Sequence, residues 1–348
     1  MEFLPKALGT RPRLACEVRA EGVVSAFAED ATGVLAAVSR ADLADGVLNA
    51  GLKKGNLQDR AAVVAAVRST LDAVAARGAG GVRTKDVTLV VPDGSVRVLL
   101  LDFDVLPSHT AEALSVVRFR LKKLLPFDAE DAVVSFQVMS SEKNLVQVVV
   151  VAMPHEVLAE YESLVTAAGY VAGAVLPSTL AALAGLDADA AAAMVVNASA
   201  LQVTTAIVRD GVLLLHRTLD MAATEGSELP VVMAATGQQS ETEDGTLRAE
   251  VMDVVEIRES AESVEVREVA QAVSVAAAYF EDTLLRAPEM LLAAGTVSAD
   301  SLDQILRMNG LEGLRVKELM ESGMIAAGAV TAGVSRGWLA GVRGALTS

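Results

Sequence analysis

The residue types that most often carry chemistry are few and scattered in this chain of 348 residues. The histidines, His109, His155 and His216, fall in different predicted elements, and their spacing is not that of a metal site. Cys16 is the only cysteine. It lies in an apolar strand with no histidine nearby in sequence, which favours burial over catalysis. The glycine-rich stretch 78–81 lacks the Lys-Ser/Thr that completes a phosphate-binding loop. These residues predict no metal site and no serine or cysteine nucleophile.

Charge restricts the partners of the chain. The formal net charge is -16, which argues against nucleic acid, because nucleic-acid binding relies on Lys and Arg displacing counterions from phosphates. The acidic residues are concentrated at about 225–265, which we interpret as a solvated insertion in the second half of the chain. A lone thiol and the lack of a secretory segment at the N-terminus lead us to expect a cytoplasmic protein.

A meander of three strands, followed by a helix and a strand, occurs twice along the chain. The similarity lies in the order of the elements and not in the residues, and it predicts two related α/β halves, at 12–190 and 191–346. The first set comprises strands at 13–19, 23–28 and 34–38, a helix at 61–77 and a strand at 87–92. The second set comprises strands at 194–199, 202–208 and 212–219, a helix at 265–286 and a strand at 290–294. Helices at 300–309 and 323–343 are predicted to close the chain.

The first half contains a predicted α+β insert at about 95–176. Its elements are a strand at 95–103, a helix that ends at Leu125-Pro126, strands at 132–139 and 145–153, a helix from Pro154 and a strand at 171–177. Pro126 lacks an amide proton and biases Leu125 away from helical geometry, which predicts the helix end.

Three stretches carry a resemblance to a known family. LKKLLPFDAEDAVVSFQVM (121–139) has a helix that ends in Pro-Phe, then an acidic turn and a strand. VTTAIVRDGVLLLHRTL (203–219) is a hairpin whose turn reads Arg-Asp-Gly, and 269–302 supplies a helix, a strand and a loop. Together they resemble PilM-like type IV pilus assembly proteins. The resemblance implies an actin-like ATPase fold with two duplicated RNase H-like halves and an SHS2-like α+β insert. The cytoplasmic part of GspL and the division protein FtsA share this architecture.

The same resemblance implies a function. By this resemblance, the protein is expected to be a cytoplasmic, non-catalytic scaffold at the inner face of the inner membrane. It is expected to bind the N-terminal cytoplasmic tail of a PilN-like membrane protein and to connect to a motor ATPase. A related secretion machine is a near alternative for the assembly it serves. The alternatives from other classes are a nucleotide-binding actin-like ATPase that switches state, and a filament-forming protein.

In actin-like ATPases, two hairpin turns hold the phosphates and the hydrated metal through Asp and Gly positions, and a glycine pair makes room for adenosine. In this chain Glu17 and Arg19 occupy the first turn, and Asn197 and Ser199 occupy the second. The glycine pair reads Ala294-Gly295, with one glycine retained. Side chains at phosphate-facing glycine positions block the approach of the backbone. We therefore expect little or no binding of Mg-ATP, no hydrolysis and no cofactor.

Three alternatives stay open at this stage. ATP could still bind through Thr204, Thr205 and Gly295. Arg19 is expected to be a surface residue of its turn, with a pairing to Glu17 or to an anion as the second option. In the insert, Leu125, Pro126 and Phe127 either help to shape the groove for the partner peptide or hold the insert against its neighbour.

Overall fold

The computed structural model describes residues 12–77, 85–186, 192–221, 261–329 and 334–347, with the backbone alone at 261–265. The glycine-rich stretch 78–81 and residues 225–260 of the predicted acidic insertion lie outside these ranges. The strands are β1 (Leu14–Arg19), β2 (Gly22–Ala28), β3 (Leu35–Asp42), β4 (Asp86–Val91), β5 (Arg97–Phe103), β6 (Ala132–Glu142), β7 (Leu145–Pro154), β8 (Val171–Pro177), β9 (Ala193–Ala198), β10 (Gln202–Arg209), β11 (Val212–Asp220), β12 (Met290–Gly295) and β13 (Arg315–Glu318). The helices are α1 (Arg60–Ala75), α2 (Thr110–Leu121), α3 (His155–Ala168), α4 (Ser178–Ala184), α5 (Ala261–Leu284), α6 (Ala299–Met308) and α7 (Arg336–Leu346).

Two five-stranded sheets have the same topology. The first has the order β3-β2-β1-β4-β8, and the second has the order β11-β10-β9-β12-β13. In each sheet the three meander strands pair antiparallel, and the remaining two strands add in parallel. The two sets of elements recognised in the sequence therefore fold into two equivalent sheets.

Local chemistry explains the meanders. Strands β1 and β2 are buried along their whole length, as expected for near-continuous apolar runs in a covered sheet. The turn between β10 and β11 contains Asp210 at φ 49° and Gly211 at φ 82°. Two consecutive positive φ angles characterise the tight hairpin turn that Asp-Gly favours, as the sequence predicted.

Helices cover both faces of the first sheet. Helices α1 and α3 pack on one face, where Tyr161 and Leu164 of α3 are fully buried. The C-terminal helix α7 returns to cover the other face, where Trp338, Leu339 and Val342 contact β1, β2 and β4. Helices α5 and α6 cover one face of the second sheet.

The insert is a three-stranded sheet of order β5-β7-β6 with α2 on one face. Its other face packs on the second half, where Val149 and Met139 join a core that includes Leu213 of β11. The backbone amide of Leu213 donates a hydrogen bond to the sulfur of Met139 at 3.4 Å. Met153 of β7 lies in the core of the first half, so the insert contacts both halves of the chain.

Helices α4 and α7 cross in close contact. A Cβ atom placed on Gly344 of α7 would lie 1.8 Å from the carbonyl oxygen of Ala181 in α4. The side chain of Arg343 extends beside this crossing and donates to the carbonyl oxygen of Gly185 at 2.6 Å. Only a glycine permits this approach of the two backbones.

The closing helix predicted at 323–343 is wrong over its first half. The α-helix begins at Arg336, after Ser335, whose hydroxyl accepts a hydrogen bond from the amide of Trp338 at 3.3 Å. Upstream, Ile325 forms a bridge to Leu35, and Gly328 has φ +79°, which no α-helix contains. The periodic small apolar residues of this stretch predict a helix, but Ala and Gly indicate only weakly which face of an element is buried.

Two further predictions about the insert need correction. Helix α2 ends at Leu121, four residues before the predicted end, although the amide of Leu125 still donates to the carbonyl oxygen of Leu121 at 3.0 Å in a last turn. The strand 171–177, assigned to the insert, pairs with β4 as the edge of the first sheet. Helix α3 likewise packs in the core of the first half, so the sheet of the insert is confined to β5, β6 and β7.

Candidate functional site

The candidate site lies in the cleft between the two sheets. The carboxyl ends of the parallel strands of both sheets point into this cleft. In open α/β sheets, this edge is the usual place for ligands. Polar residues lie at or directly after the ends of several of these strands. From the first half these are Arg19 at the end of β1, Asp93 after β4, and Ser178 and Thr179 after β8. From the second half they are Asn197 near the end of β9 and Thr296 after β12.

Arg19 connects the two halves. It is 6% exposed, so the expectation of a surface arginine was wrong, whereas the alternative pairing with Glu17 is present. Its Nε donates to Glu17 Oε1 at 2.8 Å. Its Nη2 donates to Ser178 Oγ at 2.6 Å and to Asn197 Oδ1 at 2.9 Å. A guanidinium with charge-assisted bonds to both sides of the cleft stabilises the contact between the halves.

A second cluster of hydrogen bonds surrounds Asp93. Its Oδ1 accepts from the amide of Thr179 at 3.0 Å, and its Oδ2 accepts from the hydroxyl of the same residue. Asn197 Nδ2 donates to Ser178 Oγ and to Thr179 Oγ1, both at 2.9 Å. All four side chains are buried. The polar groups of this cluster therefore satisfy one another, as is usual for buried polar groups.

Glu17 is the buried carboxylate of the cleft. Burial raises the pKa of this carboxyl above its ordinary value, and the attraction of Arg19 and the hydrogen bond from Ser178 oppose that shift. Ser178 Oγ donates to Glu17 Oε1 at 2.7 Å. Glu17 Oε2 has no hydrogen-bond partner among the described residues and faces Gly341 of α7, where a Cβ atom would lie 2.5 Å away. The pair with Arg19 is therefore the main compensation for the buried charge.

The space left in the cleft is small. The cavity between the two hairpins has a volume of about 20 Å³, which is room for a single water molecule. Nucleotide-sized ligands occupy pockets of roughly 300 Å³ or more. The cavity is lined by Arg19, Ala20, Ala50, Pro92, Asp93, Ser178, Asn197, Ser199, Leu201, Gln202 and Thr204.

The other residues predicted for nucleotide contact have local roles. Ser199 closes its own turn, since its amide donates to the carbonyl oxygen of Gln202 at 2.9 Å. Thr204 Oγ1 lies 3.0 Å from Thr218 Oγ1, and Thr205 is buried in β10 beside it. Gly295 has φ +94°, and a Cβ atom there would lie 2.1 Å from the carbonyl oxygen of Ala198. A glycine is needed at this position for the approach of β12 to β9, whether or not adenosine binds.

The predicted partner residues lie in the insert, apart from the cleft. Leu125 and Phe127 are half-buried and pack against the core between α2 and the insert sheet. Pro126 between them is exposed. Nearby, Arg118 joins α2 to the start of β6 by donating to the carbonyl oxygens of Ala129 and Ala132 at 2.8 and 3.0 Å.

Cys16 is fully buried in β1, and burial raises the pKa of its thiol to about 12. A thiol with this pKa is protonated at neutral pH and is a poor nucleophile. In the part of the chain that the structure describes, no three His, Cys, Asp or Glu side chains are grouped so that they could hold a metal ion. Within the same part, no helix is long and apolar enough to cross a bilayer.

Sequence reasoning missed Asp93, Ser178 and Thr179. A signal was present, because Pro92-Asp93 follows the buried strand β4 and Pro177-Ser178 follows the strand β8. Polar residues directly after parallel strands meet at one edge of a sheet. The sequence prediction assigns 171–177 to the insert, whereas the strand belongs to the sheet of the first half and brings Ser178 and Thr179 to this edge.

Comparison with known proteins supports the fold. No family model matches the chain, and no curated protein matches it. Among solved structures, the chain is similar to the PilM-PilN type IV pilus biogenesis complex, with 17% identity, a TM-score of 0.67 and coverage of 96% of this chain and 98% of that chain. Weaker similarity links it to the cytoplasmic domain of EpsL, an inner membrane component of the type II secretion system of Vibrio cholerae (12% identity, 74% of this chain and 94% of that chain, TM-score 0.38). It is also similar to the ethanolamine utilization protein EutJ from Carboxydothermus hydrogenoformans (11% identity, 96% and 89%, TM-score 0.42).

The duplicated sheets and this similarity define an actin-like ATPase fold, which confirms the predicted fold class. At the level of the fold, the resemblance to PilM-like proteins is also confirmed.

Proposed function

We propose that the chain is a non-catalytic adaptor of type IV pilus assembly, or of a related secretion machine. In this proposal it works in the cytoplasm at the inner face of the inner membrane. It binds the cytoplasmic N-terminal peptide of a PilN-like membrane protein and connects it to a motor ATPase.

One observation supports the non-catalytic part above all others. The edge where an actin-like ATPase would hold Mg-ATP is filled by the bonds of Arg19 to Glu17, Ser178 and Asn197. The remaining cavity of about 20 Å³ is too small for a nucleotide. The adaptor part is supported by the similarity in fold over nearly the whole chain to the PilM-PilN complex.

The adaptor proposal is tested by isolating the tagged protein from a native membrane extract and identifying what accompanies it. We expect a small single-span membrane protein with a cytoplasmic N-terminal tail, together with a motor ATPase. The identity of the membrane protein distinguishes a pilus from a secretion system. Recovery of the chain alone in long assemblies would contradict the proposal and favour a filament-forming protein.

The rival function is an actin-like ATPase that switches with nucleotide, and the fold itself favours it. We expect isothermal titration of the wild-type protein with Mg-ATP to show no binding in the micromolar range, because the cleft has no room for the phosphates. The same titration with a verified nucleotide-binding actin-like protein is the positive control. Micromolar affinity for Mg-ATP would overturn the non-catalytic proposal.

Phe127 tests the role of the Pro-Phe segment in the insert. Phe127→Ala is expected to lower the free energy of unfolding by about 2 kcal/mol, roughly half the usual cost of deleting a fully buried phenylalanine, because this ring is only half-buried in the insert core. Urea unfolding measures the loss. Phe119→Ala is the matched control, because Phe119 of α2 is 73% exposed and its loss should leave stability unchanged. Unchanged stability of Phe127→Ala with lost recovery of the membrane partner would instead assign Phe127 to the binding groove.

A further inference from the structure

We propose that the chain holds its cleft closed with its own side chains in the places of a bound ligand. Arg19 takes the place of a cation, and Glu21 and Gln202 take the places of anionic ligand oxygens. The closed state would then be the permanent state of the protein and would not require a nucleotide. This inference concerns conformation, goes beyond the adaptor function and does not depend on which partner the protein binds.

The cationic position is the best defined of the three. The guanidinium of Arg19 donates to a carboxylate oxygen of Glu17, a hydroxyl oxygen of Ser178 and an amide oxygen of Asn197. Carboxylate, hydroxyl and amide oxygens from several strand ends form the kind of environment that would otherwise hold a hard metal ion. Here the positive charge is covalently attached to β1, and it reaches across to β9 of the second half.

Glu21 occupies the first anionic position. It lies in the turn between β1 and β2, in the first half. Its Oε1 accepts from the backbone amide of Ala200, in the turn between β9 and β10, at 2.5 Å. The same oxygen accepts from Thr296 Oγ1 at 2.9 Å. A turn amide and a hydroxyl at the carboxyl ends of strands are typical donors to a bound anion, and here a carboxylate of the opposite half takes both bonds.

Gln202 occupies the second anionic position and reaches in the opposite direction. This residue of β10, in the second half, accepts at its Oε1 from the backbone amide of Gly94 at 3.1 Å. A Cβ atom on Gly94 would lie 1.7 Å from Gln202 Nε2, so the glycine makes room for the glutamine side chain. Gln202 Nε2 also donates to Asp220 Oδ1 at 2.9 Å, which fixes the orientation of the amide.

The three side chains join the halves from both sides. Arg19 and Glu21 extend from the first half to the second, and Gln202 extends from the second half to the first. Because these bonds are intramolecular, closure needs no ligand concentration, and a ligand that binds an open state would have to compete with them. We therefore expect a single closed arrangement of the halves, with or without Mg-ATP.

The test measures the distance between the halves by pulsed electron paramagnetic resonance. Spin labels are attached through Lys53→Cys in the first half and Gln304→Cys in the second, both exposed. Cys16 needs no replacement, since it is fully buried and its thiol is protonated at neutral pH. In the labelled protein we expect one narrow distance distribution that does not move when millimolar Mg-ATP is added.

The decisive variant is Glu21→Ala with Gln202→Ala in the labelled protein. It removes two of the three side chains proposed to hold the cleft closed and keeps the buried pair of Arg19 and Glu17. The other contacts between the halves, such as those of Asn197 with Ser178 and Thr179, also remain, so the chain should still fold. We expect its distance distribution to become broader and longer. The matched control, Glu142→Ala with Gln58→Ala, changes one exposed glutamate and one exposed glutamine outside the cleft and should leave the distribution unchanged.

Two results would overturn the proposal. One is an unaltered distance distribution in the variant that lacks Glu21 and Gln202. The other is a shift of the wild-type distance on addition of Mg-ATP. Failure of the adaptor function is a separate result, since the protein could keep a ligand-independent closed cleft and yet recover no membrane partner from the extract.

Discussion

Replacing Arg19 with methionine is expected to lower the free energy of unfolding by about 3–5 kcal/mol, the usual cost of leaving a buried charge without its partner. The side chains of Arg19 and Glu17 are 7% and 0% exposed, so solvent cannot compensate the carboxylate when the guanidinium is lost. The variant also loses the bonds that join β1 to Ser178 and Asn197. Equilibrium unfolding in urea measures the change.

Two controls identify the cause of that loss. Arg315→Met removes an arginine that is 72% exposed and lies 3.8 Å from Glu289, and it should cost less than about 1 kcal/mol. The double variant Glu17→Gln with Arg19→Met removes both buried charges and should recover most of the stability. A cost for Arg19→Met no larger than that for Arg315→Met would show that the buried pair does not stabilise the cleft.

The cost of Arg19→Met should also depend on pH. Burial already raises the pKa of Glu17, and loss of the neighbouring guanidinium removes the main influence that lowers it. In the folded variant, Glu17 then stays protonated at pH values where the same residue is ionised in the unfolded chain. The free energy of unfolding of the variant therefore falls as the pH rises. Unfolding curves of wild type and variant at pH 5 and pH 8 should therefore differ more at pH 8. An equal difference at both pH values would argue against an unpaired Glu17 as the cause.

Gly344→Ala is expected to cost about 3 kcal/mol or more, at the upper end of the range for overpacking. The added methyl group would lie 1.8 Å from the carbonyl oxygen of Ala181. Because that oxygen belongs to the backbone of α4, no rotation of a side chain can relieve the contact, and α4 and α7 must separate. In a helix, alanine is more favourable than glycine by about 1 kcal/mol. Any measured loss of stability would therefore be the cost of the contact after this gain has been subtracted.

The matched control for this substitution is Gly313→Ala. No atom lies within 4 Å of the Cβ position at Gly313, and stability should change by less than about 0.5 kcal/mol. Denaturant unfolding of both variants gives the comparison. Equal stability of the two variants would mean that the crossing of α4 and α7 adapts to the extra atom without cost.

Elements whose signals are local were predicted well from the sequence. The meander strands follow from apolar runs between turns, and the turn at Asp210-Gly211 follows from its tolerance of positive φ. The repeated order of three meander strands, a helix and a strand predicted two related halves, and their sheets have the same topology. The prediction is wrong where the local signal is weak, as in the small-residue stretch for which the sequence predicts helix although the α-helix begins only at Arg336.

The cleft was predicted only in part, because its contacts depend on which strands are neighbours. Glu17, Arg19 and Asn197 were identified through the resemblance, and the structure brings them together. Their partners Asp93 and Ser178 are 76 and 161 residues from Glu17 along the chain, and no local pattern joins residues so far apart. The burial of Arg19 was missed for the same reason, since a turn residue becomes buried only when a second domain packs on the turn.

The position of α7 determines when the first sheet can complete its core during synthesis of the protein. This helix is synthesised after every other element described above, yet Trp338, Leu339 and Val342 cover a face of the sheet formed by the first strands. Domains generally fold as they leave the ribosome, N-terminal first, at about 5–20 residues per second. Here the earliest sheet keeps an apolar face uncovered until α7 has been synthesised, for roughly 10 seconds or more at that rate. We therefore expect the nascent chain to be a substrate for chaperones, and a truncation before Arg336 to impair the half that is synthesised first.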